Sequence, residues 1–171
     1  MTTEGGLPER AEEHGSAAGA GGAAEPAEHY LVARVDQLWL ALPVEHVLEV
    51  APYQPPTPVP LAPAHIPGLA KHRGQALALI DLQVFLGLGR EAREQQPPDE
   101  GLRNIVVVTA GGMRVGIPCH QVRGVVESGQ EPLGDAIQGE RLRALCPAQL
   151  PGSLVVVIDV QRLLSSAKVS A

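Results

Sequence analysis

Apolar residues along this chain come in short Val-, Leu- and Ala-rich runs bounded by Gly and Pro, a pattern that favours strands over long helices. The first ordered run begins at His29. Residues 30–35 read as a strand, Asp36-Gln37 as a two-residue turn and 38–42 as the hairpin partner. Pro43 has no N–H to donate and stops the ladder; residues 43–46 then fit one short helical turn. Residues 47–50 return as a strand, and a side-chain period of two puts Val47 and Glu49 on one face. Residues 52–67 carry seven prolines and predict an extended, exposed loop whose apolar Val59, Leu61 and Ile66 are expected to cover a core or a partner. A short strand follows, then a basic elbow at Lys71-His72-Arg73-Gly74, a strand over 75–80 and a short helix opened by Asp81.

Residues 90–101 are polar and loop-like, and beyond them the pattern starts again. Strands over 103–110 and 113–117 flank Gly111-Gly112, Pro118 ends the hairpin, residues 119–121 fit a short turn and 122–127 a strand. Residues 128–150 are mixed and irregular. A strand over 154–158 and a helix over 159–164 close the unit, with 165–171 as a C-terminal tail. Pro43 and Pro118 stand 75 positions apart, Asp81 and Asp159 stand 78 apart, and Ala-Leu-Ile-Asp-Leu-Gln matches Val-Val-Ile-Asp-Val-Gln. The chain is therefore a duplication. Neither copy alone buries much apolar surface, so the fold expected is all-β with a few short helices: two pseudo-symmetric five-stranded β-barrels. The first spans about 29–90 and the second about 103–164, with exchange of chain between them possible at the ends.

Composition narrows the function. Apolar residues make up 44% of the chain, but the aromatics are only Tyr30, Trp39, Tyr53 and Phe85. The net charge is −6, and residues 1–28 supply most of it, with Glu4, Glu9, Glu12, Glu13, Glu25 and Glu28 against Arg10. That Gly-, Ala- and Glu-rich segment predicts a disordered acidic tail. Without a basic face or stacking aromatics, nucleic-acid binding has little support. No apolar run is long enough to insert in a bilayer, and there is no secretory signal, so a cytoplasmic location with reduced Cys119 and Cys146 is expected.

Candidate chemistry is sparse. Asp81 and Asp159 each follow a strand and precede a helical period, which identifies them as helix N-caps rather than paired catalytic acids. Cys119-His120 fits no zinc spacing, although a small-ligand or metal-binding barrel built on that pair is the alternative of a different class. No nucleophile elbow or dinucleotide fingerprint occurs, so no catalytic residue, metal or cofactor is expected. Arg73, in a bend beside a strand, is either a solvated turn residue or a recognition residue that pairs with Glu49 or with a partner's acids.

Several motifs carry a family resemblance: Val47-Leu48-Glu49-Val50, then Tyr53, Thr57, Pro63-Ala64-His65-Ile66-Pro67-Gly68, Arg73-Gly74 and Leu79-Ile80-Asp81-Leu82, and in the second copy Gly116, Val122 and Val157-Ile158-Asp159-Val160. Over residues 29–164 the chain resembles CheW, the coupling protein of bacterial chemosensory arrays. The resemblance implies two packed five-stranded barrels and a non-catalytic scaffold that joins the regulatory domain of a CheA-type histidine kinase to the cytoplasmic tip of chemoreceptors. It implies receptor-facing roles for Val47, Glu49 and Arg73, and kinase-facing roles for Tyr53, Thr57, Val59 and Leu61. It also implies recruitment to membrane-associated arrays. The elbow departs from the family's Asn-Leu-Arg-Gly, and His120 stands where an Asp is common. These departures suggest a divergent member serving a pilus or other alternative pathway, or an accessory protein that does not activate the kinase.

Overall fold

The computed structural model describes residues 28–88, 100–135 and 139–169. The acidic tail expected over 1–28 lies outside them except for Glu28, and so does most of the polar boundary after residue 89. Strand β1 (Glu28–Val35) turns through Asp36-Gln37 into β2 (Leu38–Pro43), in register from Val35 opposite Leu38 to Tyr30 opposite Pro43. A 3-10 turn over Val44–His46 leads into β3 (Val47–Pro52). After the Pro-rich loop come β4 (Leu69–His72), β5 (Gln75–Leu79) and helix α1 (Leu82–Leu86). The second half supplies β6 (Asn104–Ala110), β7 (Met113–Cys119) and β8 (Gln121–Ser128). The stretch expected to be irregular holds β9 (Glu131–Pro132), α2 (Glu140–Leu145) and β10 (Ala148–Gln149). β11 (Val156–Val157) and α3 (Val160–Val169) follow.

These strands form two sheets, and each takes strands from both halves of the sequence. One runs β8-β1-β2-β11-β10-β9 and the other β3-β6-β7-β5-β4. Matched in order, β8, β1, β2, β11 and β10 correspond to β3, β6, β7, β5 and β4. In both sheets the third and fourth strands are parallel and the rest are antiparallel. Each copy has thus lent its first hairpin to the other copy's sheet, so neither half can complete a sheet without its partner.

Both sheets curl. β8 and β9 stand at opposite ends of the first sheet yet are separated only by Gly129 and Gln130. In the second sheet, side chains from the edge strands β3 and β4 meet. Alternation along the strands divides the apolar side chains accordingly. Tyr30, Val32, Ala41 and Val157 cluster with the half-buried Trp39 on one face of the first sheet. Ala70, Leu77, Leu79, Ile105 and Val107 cluster on one face of the second. The largest core among the described residues lies between the sheets, where Leu31, Leu40, Leu42, Val106, Val108 and Ile117 meet residues of the three described helices, among them Phe85, Leu142 and Leu163.

Some expected boundaries move. Pro43 ends β2 as expected, whereas Pro118 does not end β7, which runs on to Cys119. Each lies past the short parallel pairing of β2 with β11 and of β7 with β5, where a missing N–H removes no ladder bond. The helical turn expected at 119–121 is absent, since β8 starts at Gln121 directly after a bend at His120. The strand expected over 154–158 is reduced to Val156–Val157, and the last helix continues past residue 164 to Val169.

Candidate functional site

The gap between the edges of β3 and β4 is the most distinctive place on the molecule. β4 and β5 form a tight hairpin, with His72 opposite Gln75 across the two-residue turn Arg73-Gly74. Both turn residues have positive φ, 47° and 77°, the combination that matches the right-handed twist of the strands. Arg73 therefore sits at a fixed hairpin tip. Across the gap, Glu49 is the acceptor for both sides of that tip. His72 Nε2 lies 2.5 Å from Glu49 Oε1, and Arg73 donates to Oε2. The hydrogen bond from His72 is the larger of the effects that hold the Glu49 carboxyl below its usual range; partial burial opposes it, and Arg73 adds to it. Beside this cluster is a pocket of about 280 Å³ lined by Ala51, Ala70, Lys71 and Ile105 among others.

Glu49 and Arg73, expected at one recognition surface, are brought together. Val47 is not with them. The register between β3 and β6 slips at Leu48, so Val47 lies opposite Val108 while Glu49 lies opposite Val107. Val108 belongs to the core between the sheets and Val107 to the interior cluster that it forms with Ala70, Leu77, Leu79 and Ile105 on the other face of the second sheet, so this bulge turns Val47 and Glu49 to opposite faces. The expectation of a shared face is corrected accordingly. β8 carries the equivalent bulge at Arg123, 75 residues on.

The Pro-rich loop places its four expected residues differently from one another. Tyr53 packs half-buried against the interior cluster, and its N–H donates to Arg103 O at 2.9 Å. Thr57 is a backbone fastener. It exchanges hydrogen bonds of 2.8 and 2.9 Å with Leu69 and so holds the loop to the edge of β4. Val59 and Leu61 point outward. Leu61 is fully exposed at φ 60°, in a turn closed by Ala62 N donating to Val59 O at 3.2 Å. Leu48, Val50 and Leu69, to which the sequence assigned no role of their own, are also exposed.

Asp81 Oδ1 accepts from the N–H groups of Gln83 and Val84 at 3.1 and 3.2 Å, and Asp159 Oδ1 accepts from Arg162 N at 2.9 Å. Both carboxylates cap helices. Cys119 is buried, while the ring of His120 faces the other way and Nδ1 accepts from Asp36 N at 2.9 Å. Burial pushes the thiols of Cys119 and Cys146 up to about 12, far from the thiolate that metal binding or nucleophilic chemistry requires. Among the described residues no three His, Cys, Asp or Glu side chains group as a metal site, and no helix is long and apolar enough to cross a membrane. One buried polar atom stands out. His65 Nε2 has no hydrogen-bond partner among the described residues, and its ring packs edge-on against Phe85 at 4.8 Å.

A duplicated β protein with exchanged hairpins, buried inert thiols and a charged hairpin tip beside exposed apolar side chains has the form of a recognition module. The comparisons give that class a family. The CheW-like domain model matches residues 29–168, and the chain belongs to this family. It is 32% identical over 151 residues to protein FrzA of Myxococcus xanthus, covering 85% of this chain and 90% of that protein. Its fold is similar to that of the scaffolding protein TtCheW from Thermoanaerobacter tengcongensis, with a TM-score of 0.65 at 20% identity, over 80% of this chain and 92% of the other.

Proposed function

We propose that this protein is a non-catalytic cytoplasmic adaptor that couples the regulatory domain of a CheA-type histidine kinase to the cytoplasmic tip of chemoreceptors, and that it works within membrane-associated arrays. The reading rests on membership of the CheW-like family over residues 29–168. Two features of the site support it. The Glu49, His72 and Arg73 cluster offers a charged contact on a rigid hairpin, which suits the receptor-facing role assigned to Glu49 and Arg73; Val47 then acts from the core by fixing the bulge that aims Glu49. The outward Val59 and Leu61, on a loop fastened through Thr57 and Tyr53, suit a kinase-facing role. Partners of this kind are recognised through a few well-placed apolar anchors and oriented charges.

Pull-downs of the full chain with a receptor-tip fragment and, separately, with the kinase regulatory domain test the reading. Binding to both is expected, and binding to neither rejects it. A barrel that uses Cys119 and His120 for ligand or metal chemistry is disfavoured by the buried, high-pKa thiol and by the divergent directions of the two side chains.

A further inference from the structure

Glu49 is held from two sides that differ in exposure. His72 reaches Oε1 from a side chain that is 11% exposed, whereas Arg73 reaches Oε2 with 73% of its side chain in solvent. A guanidinium has five N–H donors in a planar fork, and Arg73 directs only one terminal nitrogen at Glu49. The surroundings are cationic. Lys71 is exposed and lines the same pocket, and Arg114 is exposed and donates to Gln75 Oε1 at 2.5 Å beside the hairpin tip. The described lining of the pocket carries Lys71 and Arg73 against one carboxylate, Glu49, and Arg114 stands outside it beside Gln75. In a chain of net charge −6 this corner is locally positive, and the adjoining walls at Ala51, Ala70 and Ile105 are apolar.

We infer that this corner is a docking subsite for an acidic segment of a partner protein. A partner carboxylate takes Arg73 from Glu49, His72 keeps hold of Glu49, and an apolar neighbour of that carboxylate enters the pocket. The inference rests on the coupling reading above and specifies the chemistry of the surface that the receptor-facing corner fits. An exposed ion pair contributes little, so exchanging one carboxylate for another on Arg73 costs little. A half-buried carboxylate left without a donor would cost more, and His72 prevents that loss. His72 is thus a positioning residue for the exchange.

The test titrates the ¹⁵N-labelled full chain with acetyl-Ala-Val-Glu-Val-Ala-amide and with the same peptide carrying Gln in place of Glu. The amides of Lys71, Arg73 and Gly74 and the Arg73 Nε–H are followed by NMR. The Glu peptide is expected to give saturable shifts with an affinity about tenfold above that of the Gln peptide, and Arg73→Gln erases the difference. Glu49→Gln removes the internal competitor and tightens the Glu peptide by about threefold or more. His72→Leu leaves Glu49 dependent on Arg73 and weakens the peptide, while His72→Gln, which retains a donor, restores it.

Equal shifts from the two peptides, weakening by Glu49→Gln, or no saturation by about 10 mM would overturn the inference. So would the same shifts from sodium sulfate at equal concentration, which would make the corner a general anion site. A chain that couples kinase and receptor but shows no preference for the Glu peptide contradicts this inference alone. One that prefers the Glu peptide but binds neither partner contradicts the coupling alone.

Discussion

Replacing Leu61 by Asn separates display from support in the Pro-rich loop. The turn from Val59 to Ala62 has Pro60 in its second place and Leu61 in its third, where φ is 60°. That place ordinarily takes Gly or Asn, because a Cβ-bearing residue in the left-handed region costs roughly 1–2 kcal/mol. Leu61 recovers nothing by burial, since its side chain is fully exposed. Asn tolerates the same backbone, so Leu61→Asn is expected to stabilise the fold by about 0.5–1 kcal/mol, a rise in Tm of up to about 2–4 °C for a chain of this size. If the side chain is displayed for the kinase domain, the same change removes an apolar anchor worth about 1.5–3 kcal/mol and weakens binding by roughly tenfold or more. Thermal unfolding followed by circular dichroism and calorimetric titration with the kinase regulatory domain read the two effects separately. A loss of stability of about 1 kcal/mol or more would show that Leu61 supports the loop, and unchanged affinity would show that it is not an anchor.

Gly68→Ala should destabilise the protein by about 2 kcal/mol or more in urea unfolding, because a Cβ there would lie 2.2 Å from the Thr57 carbonyl oxygen, at the point where the loop is fastened to β4. Asp81→Ala should cost about 1 kcal/mol through loss of the cap on α1, with little effect on partner binding. Burial, and secondarily the charge of Arg141, lowers the pKa of His65 below its usual 6.5. The unfolded chain therefore binds a proton more readily, so stability is full above about pH 6.5 and falls as pH drops from there towards the folded pKa. His65→Phe should flatten that decline in unfolding midpoints measured across the range, and an unchanged slope would assign the acid sensitivity elsewhere.

The duplication was legible because it is written in local signals. Pro43 and Pro118, the capping pair Asp81 and Asp159, and the glycine turn at Gly111-Gly112 each act within a few residues, and each has the expected local role or position except that Pro118 lies one residue inside its strand. The hairpin exchange between copies was left open by the sequence, because strand partners are chosen over long separations by packing that no local pattern encodes. The bulge at Leu48 was missed for a related reason. A period of two assumes an unbroken ladder, and the slip that turns Val47 away from Glu49 appears only once β6 is in place. Glu49 and Arg73 could be suspected from charge beside a turn. The part of His72 could not, since its contact with Glu49 spans 23 residues and depends on the curl that brings the edges of β3 and β4 together.

The central claim is that one molecule of this protein bridges two partners. Co-sedimentation of receptor-tip assemblies with the kinase regulatory domain, with and without the full chain, measures this directly. The account predicts that the kinase domain pellets with the receptor only when the chain is added and that Leu61→Asn reduces its share of the pellet while the chain itself still pellets. Kinase domain that pellets equally without the chain, or that stays in the supernatant while the chain pellets, would contradict it.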